Sequence, residues 1–157
     1  MNDELRDLDP ELCNYSLLRK ASRRVSLAYD RALSASGLTI AQFGILAEVA
    51  GWPDPDGPTM AALAETLVMD RAALSQSLKP LIAAKLVRVK RDPDDGRSRR
   101  AGLTALGSKR LQKAGLLWKQ AQAAFAERLG EGEITILHAA LKMVVSRVSL
   151  PLVPQQT

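Results

Sequence analysis

Aromatic residues are scarce in this 157-residue chain: two Trp, two Tyr and two Phe make up 4% of it. With so few rings the core must be aliphatic, and the 46% of hydrophobic residues is enough to build one. Cys13 is the only cysteine, so no internal disulfide is open to the chain. His138 is the only histidine and lies far from Cys13 in sequence, which argues against a zinc site; no metal or cofactor is expected. No apolar run approaches the roughly 20 residues that span a bilayer. The start, MNDELRDLDPEL, is acidic and lacks the apolar stretch of an export signal. The expected setting is the cytoplasm, away from any membrane. A phosphate loop, a nucleophile elbow and paired catalytic His spacings are missing too, so no enzymatic activity is expected.

What the chain has is positive charge, unevenly placed. The net charge is +5, and the stretch from Lys85 to Arg100 alone, seven bases against three acids, carries an excess of +4. A second basic cluster, RKASRR, runs from Arg19 to Arg24. Charge concentrated in this way points to a polyanionic partner.

Leu17, Leu18, Ala21, Val25, Ala28 and Ala32 recur at helical spacing and predict a long first helix over about residues 13–36, ended by Gly37. Thr39 is placed to cap a second helix that reaches about Ala50. The segment GWPDPDGP, Gly51 to Pro58, excludes regular structure. Thr59 then caps a third helix, MAALAETL, and Asp70 a fourth, RAALSQSLKPLIAAKL. Two short helices joined by a tight turn form a helix-turn-helix. In the fourth, Leu74, Leu78, Leu81 and Ile82 fall on one face, expected to pack. Ala72, Ser75, Gln76 and Lys79 fall on the other, and Arg71 stands at the exposed start. Small residues let a helix enter a groove closely, and Gln and Ser can bond base edges. An ordinary solvated face has the same composition, so the helix alone does not decide between the two. Pro80 is expected to kink this helix and to separate a reading half from a packed half.

LVRVKR, Leu86 to Arg91, alternates apolar and basic residues as a half-buried strand does, and RAGL, Arg100 to Leu103, is its expected partner. DPDDGRSRR, Asp92 to Arg100, becomes the hairpin tip, with Asp92-Pro93 starting the turn and Gly96 permitting unusual backbone angles. A helix-turn-helix followed by a hairpin is a winged helix. Thr104 opens another helix, with a stripe of Leu111, Ala114, Trp118, Ala121 and Phe125. Beyond Gly130 and Gly132 a second stripe follows: Ile134, Leu137, Leu141, Val144 and Val148. A winged helix needs only about 60–80 residues, so the long apolar helices at both ends are expected to build a homodimer. The fold class expected is mainly α, one domain over residues 1–157. Dimerisation helices would occupy 1–36 and 104–157, around a winged helix at 38–103.

The runs LTIAQFGILAEVA, TMAALAETLVMDRAALSQSLKPLIAAKLV and RDPDDGRSRRAGLTALG resemble the MarR family of bacterial transcription regulators, over about Cys13 to Val148. The most specific element is DPDDGR followed by LTALG, after a helix-turn-helix ending in KLV. The resemblance implies a homodimer on double-stranded DNA, with each recognition helix in the major groove and each wing beside it; twofold symmetry then asks for a pseudo-palindromic operator. It implies that Arg97 enters the minor groove, where A·T-rich stretches concentrate negative potential. Asp94 or Asp95 would hold its approach angle by charge-assisted hydrogen bonds, with Lys90, Arg91, Arg99 and Arg100 near phosphate. Gly96 stands where a second basic residue is often found at the tip.

The resemblance further implies regulation, so the expected function is a sequence-specific repressor released from DNA by a small aromatic effector. Tyr15, Phe43, Trp52 and Trp118 are candidates to line the effector's site, although core packing is the default for such residues. Some family members respond instead to cysteine oxidation, and Cys13 offers the alternative of a peroxide sensor. Aligned on the arginine-rich helix, however, Tyr15 falls at the reactive position. Tyr29 matches an aromatic of that branch, whereas Ile40 and Phe43 stand where it has tyrosines. His138, among Leu137, Ala139 and Ala140, reads as a helix-surface or interface residue.

Overall fold

The computed structural model describes residues 13–148, so the acidic start MNDELRDLDPEL lies outside the described residues. In chain order the elements are α1 (Asn14–Leu33), a short 3-10 turn (Ser34–Ser36), α2 (Ile40–Ala50), α3 (Met60–Thr66), α4 (Arg71–Ala83), β1 (Val87–Arg91), β2 (Arg99–Leu103), α5 (Ala105–Leu129) and α6 (Glu131–Arg147). The chain divides into two units, one up to Trp118 and one from Lys119. No single helix among the described residues is long and apolar enough to cross a membrane.

Local chemistry sets the helix starts. Thr39 accepts from the Gln42 amide while the Gln42 side chain accepts from the Thr39 amide, a complete capping box. Thr59 caps α3 through the Ala62 amide, and Asp70 caps α4 through the Ala73 amide at 2.7 Å. Such caps contribute about 1 kcal/mol each. Thr104 accepts from the Gly107 amide and donates to the Lys85 carbonyl, which ties the start of α5 to the chain leaving α4.

The helix ends were harder to foresee. α3 and α4 both finish in a Schellman motif, with Met69 bonding back to Ala64 and Leu86 back to Leu81. Val68 and Lys85 therefore sit in the left-handed region, at φ 53° and 58°. Glycine normally takes that place, and another residue costs about 1–2 kcal/mol there. α4 accordingly stops at Ala83 instead of running to Leu86.

Leu33, Leu46, Leu63, Leu74, Leu78 and Leu81 are fully buried, and Val87 and Ala101 bring the sheet into the same core. Burying each leucine contributes about 1.5–3 kcal/mol. Ile82 corrects the expectation of a packed residue: it is exposed. On a 100° step it lies at the edge of the stripe, and Leu81 takes the inward place. The split at Pro80 into a reading half and a packed half is not found either. Leu74, Leu78 and Leu81 are buried on both sides of it, and Pro80 itself lies on the exposed side.

The strands pair antiparallel, from Val87↔Leu103 to Arg91↔Arg99. β2 is also bridged on its other side, where Thr59 pairs with Arg100 and the Ala101 amide donates to the Pro58 carbonyl. The segment before α3 is thereby fastened to the hairpin. In the second unit, α6 has no buried residue; Leu141, Met143, Val144, Val145 and Val148 are all exposed.

Candidate nucleic-acid interface

The face of α4 opposite its leucines is open. Arg71, Ala72, Ser75, Gln76 and Lys79 are exposed, while Leu74, Leu78 and Leu81 hold the other side in the core. This face meets the hairpin. Arg71 and Ser75 of α4 and Val89 and Arg99 of the strands, with Met60, Leu78 and Ile82, line one hollow of 320 Å³. The structure thus brings Arg71, Ser75 and Arg99 together from opposite ends of the sequence motif.

The hairpin register divides the basic residues that the sequence groups by charge. Paired residues share a face and neighbours along a strand alternate. Val87, Val89 and Arg91 lie with Arg99, Ala101 and Leu103; Arg88 and Lys90 lie with Arg100 and Gly102 on the opposite face. Arg91 and Arg99 therefore stand on the side of α4. Lys90 faces the other way, toward the segment between α2 and α3.

Arg100 departs furthest from expectation. Its Nε donates to Asp92 Oδ2 at 2.7 Å, and one terminal nitrogen donates to Asp54 Oδ2 at 2.6 Å and to the Gly57 carbonyl at 2.8 Å. The Arg100 side chain is only 17% exposed and that of Asp92 only 5%. With two carboxylates and a carbonyl on it, this guanidinium is a clamp between wing and domain, not a free phosphate contact. The tip acids also act differently. Asp92 Oδ1 accepts from the Asp94 amide and Asp95 Oδ1 from the Arg97 amide, while the Ser98 amide bonds the Asp95 carbonyl. They shape the loop through its backbone. The Arg97 guanidinium is exposed and has no carboxylate partner among the described residues; Asp94 is exposed as well.

The Asp94 amide, and then the Arg100 guanidinium, hold the Asp92 carboxyl below its ordinary value of 3.8. The Asp56 amide and Arg100 do the same for Asp54. The hydrogen bond to Asp92 raises Arg100 further, so it stays charged. A carboxyl depressed in the folded state stabilises fully above its unfolded pKa, and this contribution is lost as pH falls through the folded value. Between pH 6 and pH 3 the wild type should therefore lose stability in urea melts, and Asp92→Asn, already weaker at pH 6, should lose less. Equal acid dependence in the two proteins would remove the clamp from the account.

The geometry is matched by known proteins. The model of the MarR family matches residues 36–98, from the 3-10 turn to the wing tip. MosR, a transcriptional regulator of M. tuberculosis solved in complex with DNA, is 34% identical over 87% of this chain and 99% of its own, with a TM-score of 0.71. The chain belongs to the MarR family. MarR of E. coli, solved as a mutant complexed with operator DNA, shares the fold at a TM-score of 0.76, with 22% identity over 91% of this chain and 99% of its own. PcaV of Streptomyces coelicolor, solved with its natural ligand, does so at 0.78, with 20% identity over 90% and 98%. No curated protein matches the sequence.

In this MarR-family chain two of the four aromatic candidates meet and the other two lie elsewhere. Phe43 is buried and stacks on Trp118, with centroids 5.8 Å apart. Trp52 lines a separate hollow with Arg88 and Lys90. Tyr15 is exposed, accepts from Arg19 and lies under its guanidinium. Tyr29 is buried, and burial raises its phenol. Cys13 is exposed at the start of α1, and His138 is exposed on α6. Sequence reading missed Asp54 and took Asp92 only as a turn residue. The signal for Asp54 was weak: an acid in a proline-rich loop, with its cation far along the chain.

Proposed function

We propose that this transcriptional regulator is a homodimeric repressor that reads a pseudo-palindromic duplex operator and leaves it when a small aromatic ligand binds. The observation that carries the reading is the open face of α4, small and polar, lying beside exposed wing cations that have no carboxylate partner among the described residues, over a hollow shared with Arg99. MosR in complex with DNA supports the nucleic-acid partner, and PcaV with its natural ligand supports control by a small molecule. Gln76 and Ser75 read base edges, Ala72 lets the helix approach, and Arg71 and Lys79 contact phosphate. Arg97 enters the minor groove, with Arg91 and Arg99 on the backbone behind it.

Roles separate on mutation. Gln76→Ala should change which bases are preferred and weaken the best site by about 1–3 kcal/mol. Arg97→Ala should weaken binding to most sites and soften an A·T preference in the flanks. Lys79→Ala should lower the slope of affinity against salt by about one unit with little change in preference. Fluorescence anisotropy on selected duplexes measures all three, and unchanged affinity in Arg97→Ala would remove the wing from the interface.

The ligand reading has one competitor, oxidation of Cys13, whose thiol is open to solvent. A sensor thiol needs a cation, helix N-terminus or donor nearby to favour the thiolate; Cys13 has the helix start, but its side chain makes no capping hydrogen bond there. Operator release is measured for the wild type and Cys13→Ser, with organic hydroperoxide and with aromatic acids and their thioesters. Release of both proteins by an aromatic compound is the expected result. Peroxide-driven release that vanishes in Cys13→Ser would replace the ligand reading with the redox one.

A further inference from the structure

Of the acids at the wing tip, Asp92 and Asp95 have partners within the chain. Asp92 is buried; one of its oxygens accepts from the Asp94 amide and the other from the Arg100 Nε. Asp95 accepts from the Arg97 amide. Asp94 differs. Its side chain is exposed, and its carboxylate has no hydrogen bond or ion pair among the described residues. The backbone beneath it is nevertheless held. The Asp94 amide is bonded to Asp92, the Asp92 amide donates to the Ser98 carbonyl, and the Ser98 amide donates to the Asp95 carbonyl. Gly96 adds no side chain to the apex, and a Cβ at that position would meet nothing within 4 Å. The tip is therefore slim and stands clear of the rest of the chain, as entry into a groove about 6 Å wide requires.

We propose that Asp94 selects one G·C pair in the minor groove of each operator flank, its carboxylate accepting from the guanine 2-amino group. The inference rests on the duplex reading above and names what the wing recognises there. An acid on a surface that approaches phosphate lowers affinity by plain repulsion. Only a hydrogen-bond donor on the DNA offsets that loss. In the minor groove A·T pairs of either orientation present acceptors alone, and the guanine 2-amino group is the one donor. An ionised carboxylate can only accept, so A·T edges repel it and a G·C edge gives it a charge-assisted bond. Asp95 is a poorer candidate, because its Oδ1 already holds the Arg97 amide. Arg97, with no carboxylate partner among the described residues, carries a balancing charge on the same tip. The two side chains then read different features: Arg97 the narrow A·T stretch, Asp94 a single G·C pair within or beside it.

The test uses the full chain and a duplex that the wild type selects from a random library. Each flanking guanine is replaced in turn by inosine, which removes only the 2-amino group, and each flanking adenine by 2-aminoadenine, which adds one. Fluorescence anisotropy is read for the wild type, Asp94→Ala and Asp94→Asn. At one flank position inosine should weaken the wild type by about tenfold, the loss of one hydrogen bond to a charged group. Asp94→Ala should be indifferent to the exchange, and Asp94→Asn, which keeps a carbonyl acceptor, should retain part of the response. Because Asp94 is exposed, both variants should melt with the wild type. Repulsion alone predicts instead that Asp94→Ala binds every duplex more tightly by the same factor, and that result would overturn the inference. So would an equal inosine response in the wild type and Asp94→Ala. A wild type that selects a duplex but ignores the 2-amino group at every flank position removes this inference and leaves the duplex reading standing. A wild type that selects no duplex removes both.

Discussion

Replacing Leu141 and Val144 together by aspartate should leave a folded monomer that no longer holds duplex DNA tightly. Leu141 and Val144 are 40% and 39% exposed, Val145 and Val148 more so, and nothing on α6 is buried within the chain. A run of apolar residues that one subunit leaves open marks an association surface. Covering what is left open of each in a dimer contributes about 1 kcal/mol, whereas a buried unpaired carboxylate costs several kcal/mol. Twofold symmetry places each substitution in the dimer twice, so the pair weakens the interface strongly. Because both positions are open in the subunit, circular dichroism should show the helices retained. Without the partner, each recognition helix binds its half-site alone, and affinity should fall by about two to four orders of magnitude. Sedimentation velocity at micromolar concentration reads the result directly: a variant that stays dimeric would move the interface away from this stripe of α6.

Gly57→Ala should destabilise the protein strongly for a single added methyl. Gly57 has a φ of 80°, and a Cβ there would lie 2.0 Å from the Ala101 carbonyl oxygen. Two bonds fix the approach: the Pro58 carbonyl accepts from the Ala101 amide, and the Gly57 carbonyl accepts from the Arg100 guanidinium. The added methyl meets both an unfavourable backbone region and an immovable carbonyl, so about 3 kcal/mol or more is expected. For a chain of this length that corresponds to a melting point lower by roughly 10 °C. The same substitution should loosen the hairpin, so DNA affinity should fall before the protein unfolds. A melting point within a degree or two of wild type would show that the segment before α3 does not hold the wing.

Much of this architecture was legible because its causes are local. Thr39, Thr59 and Asp70 each stand just before a helical pattern, and a cap acts over three residues. The alternation in LVRVKR announced the hairpin, and it also placed Arg88 and Lys90 opposite Val87 and Val89. Grouping the cations by charge instead of by face hid that division. Other features had no local sign. Asp54 meets Arg100 across 46 positions, so nothing near either residue marks the pair. Lys85 ends α4 in a conformation that sequence reading reserves for glycine. Ile82 satisfied the helical period but lost its place in the core to Leu81, a choice that only packing makes. The tip acids were read as holding the Arg97 guanidinium; instead Asp92 and Asp95 accept from the backbone amides of Asp94 and Arg97, and the Arg97 guanidinium has no carboxylate partner among the described residues.

The central claim is that the open face of α4 and the adjoining wing read a specific duplex sequence. Selection from a random duplex library, followed by sequencing of the retained fragments, tests it most directly. The wild type should enrich a pseudo-palindrome with half-site centres about 10 base pairs apart, or a multiple of that, and Gln76→Ala should enrich a different sequence at the same spacing. Retained fragments no different from the input library, or an identical motif for the wild type and Gln76→Ala, would contradict it.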